Sequence, residues 1–324
     1  MLNNPFIPLS RIDSITPLGN LAPPGHTLPT EHWYINVARE PNDTRVIPIA
    51  SPGSIWITHI NGGSGQDYSV HFSLCQDVFG YFNHLDGISP LLQDIIVRSG
   101  CSEGASLGNG GCVVQVLEPV DPGAVIGTVR TEGNFDLGIW DMRSERAMAN
   151  PSRYVGRSIF ITCSVGYFAD TLRDTMSDLL EQNGSGRCGT VTYDVPGTLA
   201  GNWFLDDAAQ HDEGAVVVFV YDNLLPEQAV IAVGGTLTNA GKLEFTPVDS
   251  GTVNRRASQV TNDGQTYCYE RDGTGRHEQY SSSGNLLEGH LLVLMVNEAE
   301  ALMAHGDGPC AAGLPMDGAL TYIR

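Results

Sequence analysis

Lysine is almost missing from this 324-residue chain, where Lys242 stands alone. Lysine and arginine together number 17 against 37 acidic residues, a formal charge of −20, and the arginines are scattered. Nucleic acid and anionic lipid surfaces are held by clustered positive charge. Both drop out as expected partners, and Arg255-Arg256 is too small a patch to alter that. Charged residues of either sign make up only 17% of the chain, while glycine reaches 38 residues, a balance that suits many short strands and turns. No run of about 20 apolar residues occurs, so no membrane-spanning segment is expected. The opening MLNNPFIPLSRIDS has neither a charged n-region nor a long apolar h-region, and so does not read as an intact signal peptide. The acidic composition suits an extracellular or cell-surface setting, from which a leader would already have been removed.

C-x-x-C pairs are also missing, which argues against a zinc ribbon or a thioredoxin-like redox site. The seven cysteines stand at 75, 101, 112, 163, 188, 268 and 310. Cys101 and Cys112 bracket the stretch SEGASLGNGG and could close a surface loop; Cys188 and Cys268 could staple the second half. Buried thiols are the alternative, and an odd count leaves at least one cysteine outside any internal pair. No G-x-S-x-G elbow supports serine hydrolase chemistry.

Period-two alternation dominates what is present. Residues 112–141, CVVQVLEPVDPGAVIGTVRTEGNFDLGIWD, contain three short alternating runs (113–117, 125–129 and 135–140) separated by turns, the first built on Pro122-Gly123. Further strands are expected at 33–38, 45–50, 54–60, 68–77 and 79–85, with a glycine-rich turn at 61–66. Ser89-Pro90 opens a short helix through Arg98, serine as cap and proline at the first position. Residues 1–30, rich in proline, read as an extended arm. The charged stretch 146–157 reads as a linker between a β domain at 31–145 and a second domain at 158–324. That second domain opens with a strand at 158–163. A helix follows near 168–181, stopped by Asn183-Gly184. Then come CGTVTYDV, AVVVFVYDN, QAVIAVGG, KLEFTPV, YCYE, EGHLLVLMVN and LTYIR, spaced as in a small β-barrel or sandwich. HDEG (211–214) reads as a polar hairpin turn, and Asn202-Trp203-Phe204 as a cap on one barrel end.

Three stretches, taken in order, resemble the lysostaphin-type zinc endopeptidases. They are Gly25-His26 through Glu31-His32, Tyr81-Phe82-Asn83-His84-Leu85, and Pro122-Gly123-x-x-Ile126-Gly127 leading to Phe135-Asp136-Leu137-Gly138. The resemblance covers roughly residues 20–145 and implies a barrel-sandwich hybrid fold. That fold is shared with biotinyl and lipoyl carriers, but no lysine occupies the hairpin here. The family binds zinc through a histidine and an aspartate in the first stretch and through one histidine of an H-x-H strand in the third; the second stretch carries a catalytic histidine. By that correspondence His84 is the catalytic candidate, and His26, Glu31 (or His32) and Asp136 are the metal-ligand candidates, with zinc as the implied cofactor. CGTVTYDVPGTLAGNWF and FTPVDSGTVNRRASQVTNDGQTYCYE are similar to stretches of uncharacterised bacterial and archaeal proteins that also carry the lysostaphin-like half. No activity follows from that similarity.

The departures from the family pattern fall on the metal. A zinc hydrolase needs three protein ligands and an open position for water. Here H-x-H has become Asp136-Leu137-Gly138, and glycine has nothing to coordinate with. The histidine-to-carboxylate spacing is one residue longer (His26 to Glu31), and a one-residue slip on a strand turns a side chain to the other face. The reading is therefore a mostly β, degenerate peptidase relative without a complete zinc site and with no cofactor, binding a peptide or a glycan or serving a structural role. An active zinc endopeptidase acting on cell-wall peptides, with a substituted ligand set, and a self-assembling filament or coat subunit are the alternatives. His71 shares a strand face with Ser69, Ser73 and Cys75 and so could address the same cleft, with His59 on another strand. Trp33, Tyr34, Trp56 and Trp140 are expected in the core, or at a rim where an indole could stack on sugar.

Overall fold

The computed structural model describes residues 1–38, 45–62, 67–100, 113–131, 133–154, 156–182, 187–210, 212–279, 284–311 and 313–324. The expected Cys101–Cys112 loop, most of the 61–66 turn, the Asn183-Gly184 stop and His211 lie outside these residues. The chain is mostly β, and it divides into two compact units. Unit one comprises Met1–Pro17, Glu31–Glu145 and Phe160–Cys188; unit two comprises Leu18–Thr30, Arg146–Ile159 and Gly189–Arg324.

Unit one holds β1 (Ile12–Thr16), β2 (Trp33–Val37), β3 (Ile47–Ala50), β4 (Ile55–Gly62), β5 (Tyr68–Cys75), β6 (Val78–Leu85), β7 (Gly87–Ile88), β8 (Val113–Val120), β9 (Val125–Val129), β10 (Asn134–Asp141) and β11 (Ile161–Thr162). Its large sheet runs β1-β2-β10-β6-β5-β4-β8, with β11 paired to β10, and a small sheet runs β3-β9-β7. The three runs of 112–141 thus take different places: β8 at an edge of the large sheet, β9 central in the small one, β10 between β2 and β6. Alternation does what period two dictates. Ile35, Phe135, Leu137, Phe82, Phe72, Val70 and Ile57 are all fully buried on one face. Gly80 lies among them because a β-carbon there would run into Phe72 and Ile139.

Helix α1 (Pro90–Arg98) begins as its sequence signals, with Ser89 Oγ accepting the Leu92 N–H at 3.4 Å. The N-terminal segment is not an extended arm. Ile12–Thr16 adds strand β1 to the sheet, and residues 18–30 belong to unit two. Phe6, fully buried, packs its ring against Phe82, Phe135 and Phe168 at centroid distances of 5.6, 6.1 and 6.1 Å. Burying a phenylalanine contributes about 2–3 kcal/mol, and Leu2 and Ile7, also buried, add to the anchoring of this proline-rich segment. Helix α2 (Asp170–Asp178), expected in the second domain, belongs to unit one, and the expected strand at 158–163 is a turn of 3-10 helix (Ser158–Phe160) followed by the two residues of β11. Among the described residues the cysteine pairs are Cys163–Cys188 and Cys268–Cys310, not Cys188–Cys268, and Cys75 is an exposed free thiol.

Unit two is built on β12 (Gly201–Leu205), β13 (Val216–Tyr221), β14 (Ala229–Val233), β15 (Gly241–Phe245), β16 (Tyr267–Glu270), β17 (His290–Asn297), β18 (Glu300–Gly306) and β19 (Leu320–Ile323). Their order is β15-β14-β13-β12-β19-β18-β17-β16, and the end strands β15 and β16 approach each other, so the sheet nearly closes on itself. Trp203, Phe219, Ile231, Leu243, Tyr269, Leu291, Met303 and Tyr322 fill the inside. The outer faces of β13 and β14 are covered as well, by Leu21 and Leu28 from the 18–30 segment. That double burial explains why VVVFVY and AVIAV read as continuous apolar runs. Glu213 fastens the covering segment, its Oε2 accepting the N–H groups of Thr27 and Leu28 at 2.7 and 2.8 Å.

Candidate functional site

The outward face of unit one's large sheet carries polar and aromatic side chains in cross-strand rows. On β10, Asp136, Gly138 and Trp140 alternate with the core residues Phe135, Leu137 and Ile139. Their partners on β6 are Asn83, Tyr81 and Phe79, and Tyr34 on β2 lies opposite Asp136. Tyr81 continues across β5 to His71 and across β4 to His59. Because each pair sits on one face at neighbouring-strand spacing, the rings meet. His71 stacks on Tyr81 and Trp140 at centroid distances of 5.5 and 5.8 Å, Tyr81 and Trp140 lie 4.5 Å apart, and His59 meets His71 at 5.8 Å. His71 thus addresses the same face as the candidate site. Trp33 is core, whereas Trp56 is 46% exposed, a correction to its expected burial.

Asp136 is the centre of the polar end. Its carboxylate is 1% exposed, and Oδ2 receives two imidazoles: His84 Nε2 at 3.4 Å and His32 Nε2 at 3.5 Å. The other nitrogen of His84, Nδ1, meets Asp67 Oδ1 at 3.1 Å. Tyr81 donates its hydroxyl to the Glu31 carbonyl at 3.3 Å and lies 3.5 Å from His32 Nδ1. Burial raises the Asp136 carboxyl to about 7; the His84 charge and an Asn83 hydrogen bond pull it down less than that, and the Asp67 charge pushes it up further. Burial first, then the Glu31 and Asp136 charges, push the Tyr81 phenol well above its ordinary value, so it stays a neutral donor. At 3.4 and 3.5 Å both imidazole contacts to Asp136 are ion-pair separations, longer than a good hydrogen bond. The cluster is thus a compact group of carboxylates and imidazoles beside an aromatic one.

His84 reaches this place through an irregularity. The β5–β6 register slips between Tyr68 and Val70, whose partners are Leu85 and Phe82, so Asn83 and His84 together oppose Ser69. His84 takes φ = 62°, a left-handed conformation that non-glycine residues adopt seldom. Strict alternation would have turned it toward the core with Phe82.

Of the sequence candidates, the structure brings His84 and Asp136 together. The carboxylate neighbour contributed by the first stretch is His32 rather than Glu31. Glu31 uses its backbone carbonyl and acts on Tyr81 through its charge. His26 falls in unit two, where its backbone pairs with Ala22. Asp67 was not legible; it stands at the mouth of β5 just after a glycine-rich stretch, with no motif to mark it. The zinc implied by the peptidase resemblance does not fit the residues present. The position that should bear the second H-x-H imidazole is Gly138, and the ring of Tyr81 fills the space where its side chain would begin. Among the described residues no group of three or more His, Cys, Asp or Glu side chains is arranged to hold a metal ion. No protein-family model, curated protein or solved structure matches the chain.

Proposed function

We propose that the chain is a non-catalytic binding protein of the cell surface or extracellular space, in which unit one's outward sheet face takes up a peptide or a glycan. The observation that carries this reading is the seating of Tyr81 over Gly138. With a ring that extends the His71–Trp140 stack, it fills the place where the resembled peptidases carry a metal ligand. Trp140 and His71 form a partly exposed aromatic surface, backed by buried Tyr81 and Asp136, with Asn83 and the exposed His84 on the same face. Such a surface suits a ligand with an apolar face and several hydroxyl or amide groups. Two disulfides favour an oxidising setting, and no helix among the described residues is long and apolar enough to cross a membrane.

The test is a titration of the isotopically labelled full chain with soluble cell-wall-type oligosaccharides and peptides, followed by NMR, with metal content measured in parallel. Saturable shifts centred on Trp140, His71 and His84, weakened about tenfold in Trp140→Ala, are expected. Bound zinc together with zinc-dependent cleavage of a peptide would replace this reading with the hydrolytic one.

A further inference from the structure

Unit two contains a cavity of about 340 Å³. It is more than twice the size of an engineered cavity that takes up benzene, and within the range of natural small-molecule sites. Its apolar side is formed by Phe219, Ile231 and Phe245 from three adjacent strands, and Tyr193 and Tyr221 also line it. Their rings lie 6.3 Å apart. Tyr221 accepts a hydrogen bond from Arg256 at 2.8 Å, so its own proton is left to donate elsewhere. The Tyr193 hydroxyl makes no hydrogen bond among the described residues, although burial is the main cause holding it protonated. Tyr193 is only partly buried and lines the cavity, so its hydroxyl is available to a ligand there.

The charges around the cavity are already committed. Asp194 accepts the N–H groups of Asn202 and Ala149 at 3.0 and 2.7 Å. Asp222 accepts those of Leu224 and Leu225 at 2.8 and 2.9 Å and meets Arg276 at 3.5 Å. Neither carboxylate is left over to hold a cation. No lysine or arginine is among the described lining residues to hold an anion, and Arg256, behind the Tyr221 hydroxyl, is already paired with Asp249 at 2.7 Å.

We infer that this cavity is a binding site for a small uncharged molecule with an apolar body and one hydrogen-bond acceptor, the body against Phe219, Ile231 and Phe245 and the acceptor on the Tyr193 and Tyr221 hydroxyls. This site is independent of the one proposed in unit one.

Acetophenone, ethylbenzene and benzoate share a body and differ in having a neutral acceptor, no acceptor and a charge. Each is titrated into the full chain and followed by ligand-observed NMR. Acetophenone should bind saturably and benzoate should not. Tyr193→Phe should weaken acetophenone about fivefold, the worth of one hydrogen bond, and leave ethylbenzene unchanged. Ala257, a partly exposed lining residue, offers a way to fill the space: Ala257→Phe should abolish binding of both. The Tyr193 variant, which removes one oxygen atom, decides the matter if the larger change prevents folding. Failure of acetophenone to saturate below its solubility limit, equal binding of benzoate, or an unchanged acetophenone affinity in Tyr193→Phe each overturns the inference.

Discussion

The ring of Tyr81 lies over Gly138, its cross-strand partner on β10, in space that any β-carbon at 138 would claim. Gly138→Ala should therefore destabilise unit one by about 1–3 kcal/mol, the usual cost of overpacking. The same change in a Tyr81→Ala background should cost clearly less, because the obstructing ring is gone. Chemical denaturation of the four proteins of this cycle measures it, and equal costs in both backgrounds would disprove the contact.

Asp136 sets a pH dependence with a definite sign. Its folded value, about 7, lies above the ordinary 3.8, so between those limits the folded state binds more protons than the unfolded one. Stability then falls as pH rises from 4 to 7 and levels off above, with about 4 kcal/mol lost in all. Asp136→Asn removes this component. The variant should be the more stable of the two at pH 8, and the advantage should shrink toward pH 4 in urea melts. A difference that does not change with pH would contradict the burial of an ionisable Asp136 as its cause.

Cys163–Cys188 and Cys268–Cys310 each close a long loop, with sequence separations of 25 and 42 residues. On the loop-entropy estimate, replacing either pair by alanine should cost about 3–4 kcal/mol. Cys163–Cys188 should lower the melting of unit one and Cys268–Cys310 that of unit two, since both partners of each bond lie in one unit. Calorimetry on the two double variants should show different transitions affected.

Glu213 holds the 18–30 segment through two charge-assisted hydrogen bonds to one oxygen. Glu213→Ala should cost about 2–4 kcal/mol. It should also expose the segment between Leu21 and Leu28 to limited proteolysis at lower denaturant. Glu213→Gln, which keeps a neutral acceptor, should recover part of the loss.

The mostly β class was legible because runs such as Tyr68–Cys75 alternate, and α1 because Ser89-Pro90 caps it. Strand β18 carries no local strand signal, since EALMAHG is made largely of good helix formers. It is extended because it is paired on both sides, with β17 and β19, and tertiary pairing overrides local propensity. CGTVTYDV shows the reverse error: it alternates, yet forms no strand, and Gly189 in it takes φ = 70°, breaking the extended run. At the candidate site, His84 and Asp136 stood out through the family motif, while Asp67 and the substitution of His32 for Glu31 depended on register. A single extra residue in β6 decides which side chains face Asp136, and no local pattern announces it.

That extra residue gives position 84 an unusual mutational profile. Its backbone, at φ = 62°, admits glycine, asparagine and aspartate with little penalty and resists β-branched residues. In a library randomised at this position, survivors selected for folding would be sorted by tolerance of the left-handed conformation rather than by size or hydropathy. On the proposed binding role, survivors selected for ligand uptake would be sorted by the imidazole. The two lists should overlap little, so folding and recognition constrain this one codon separately.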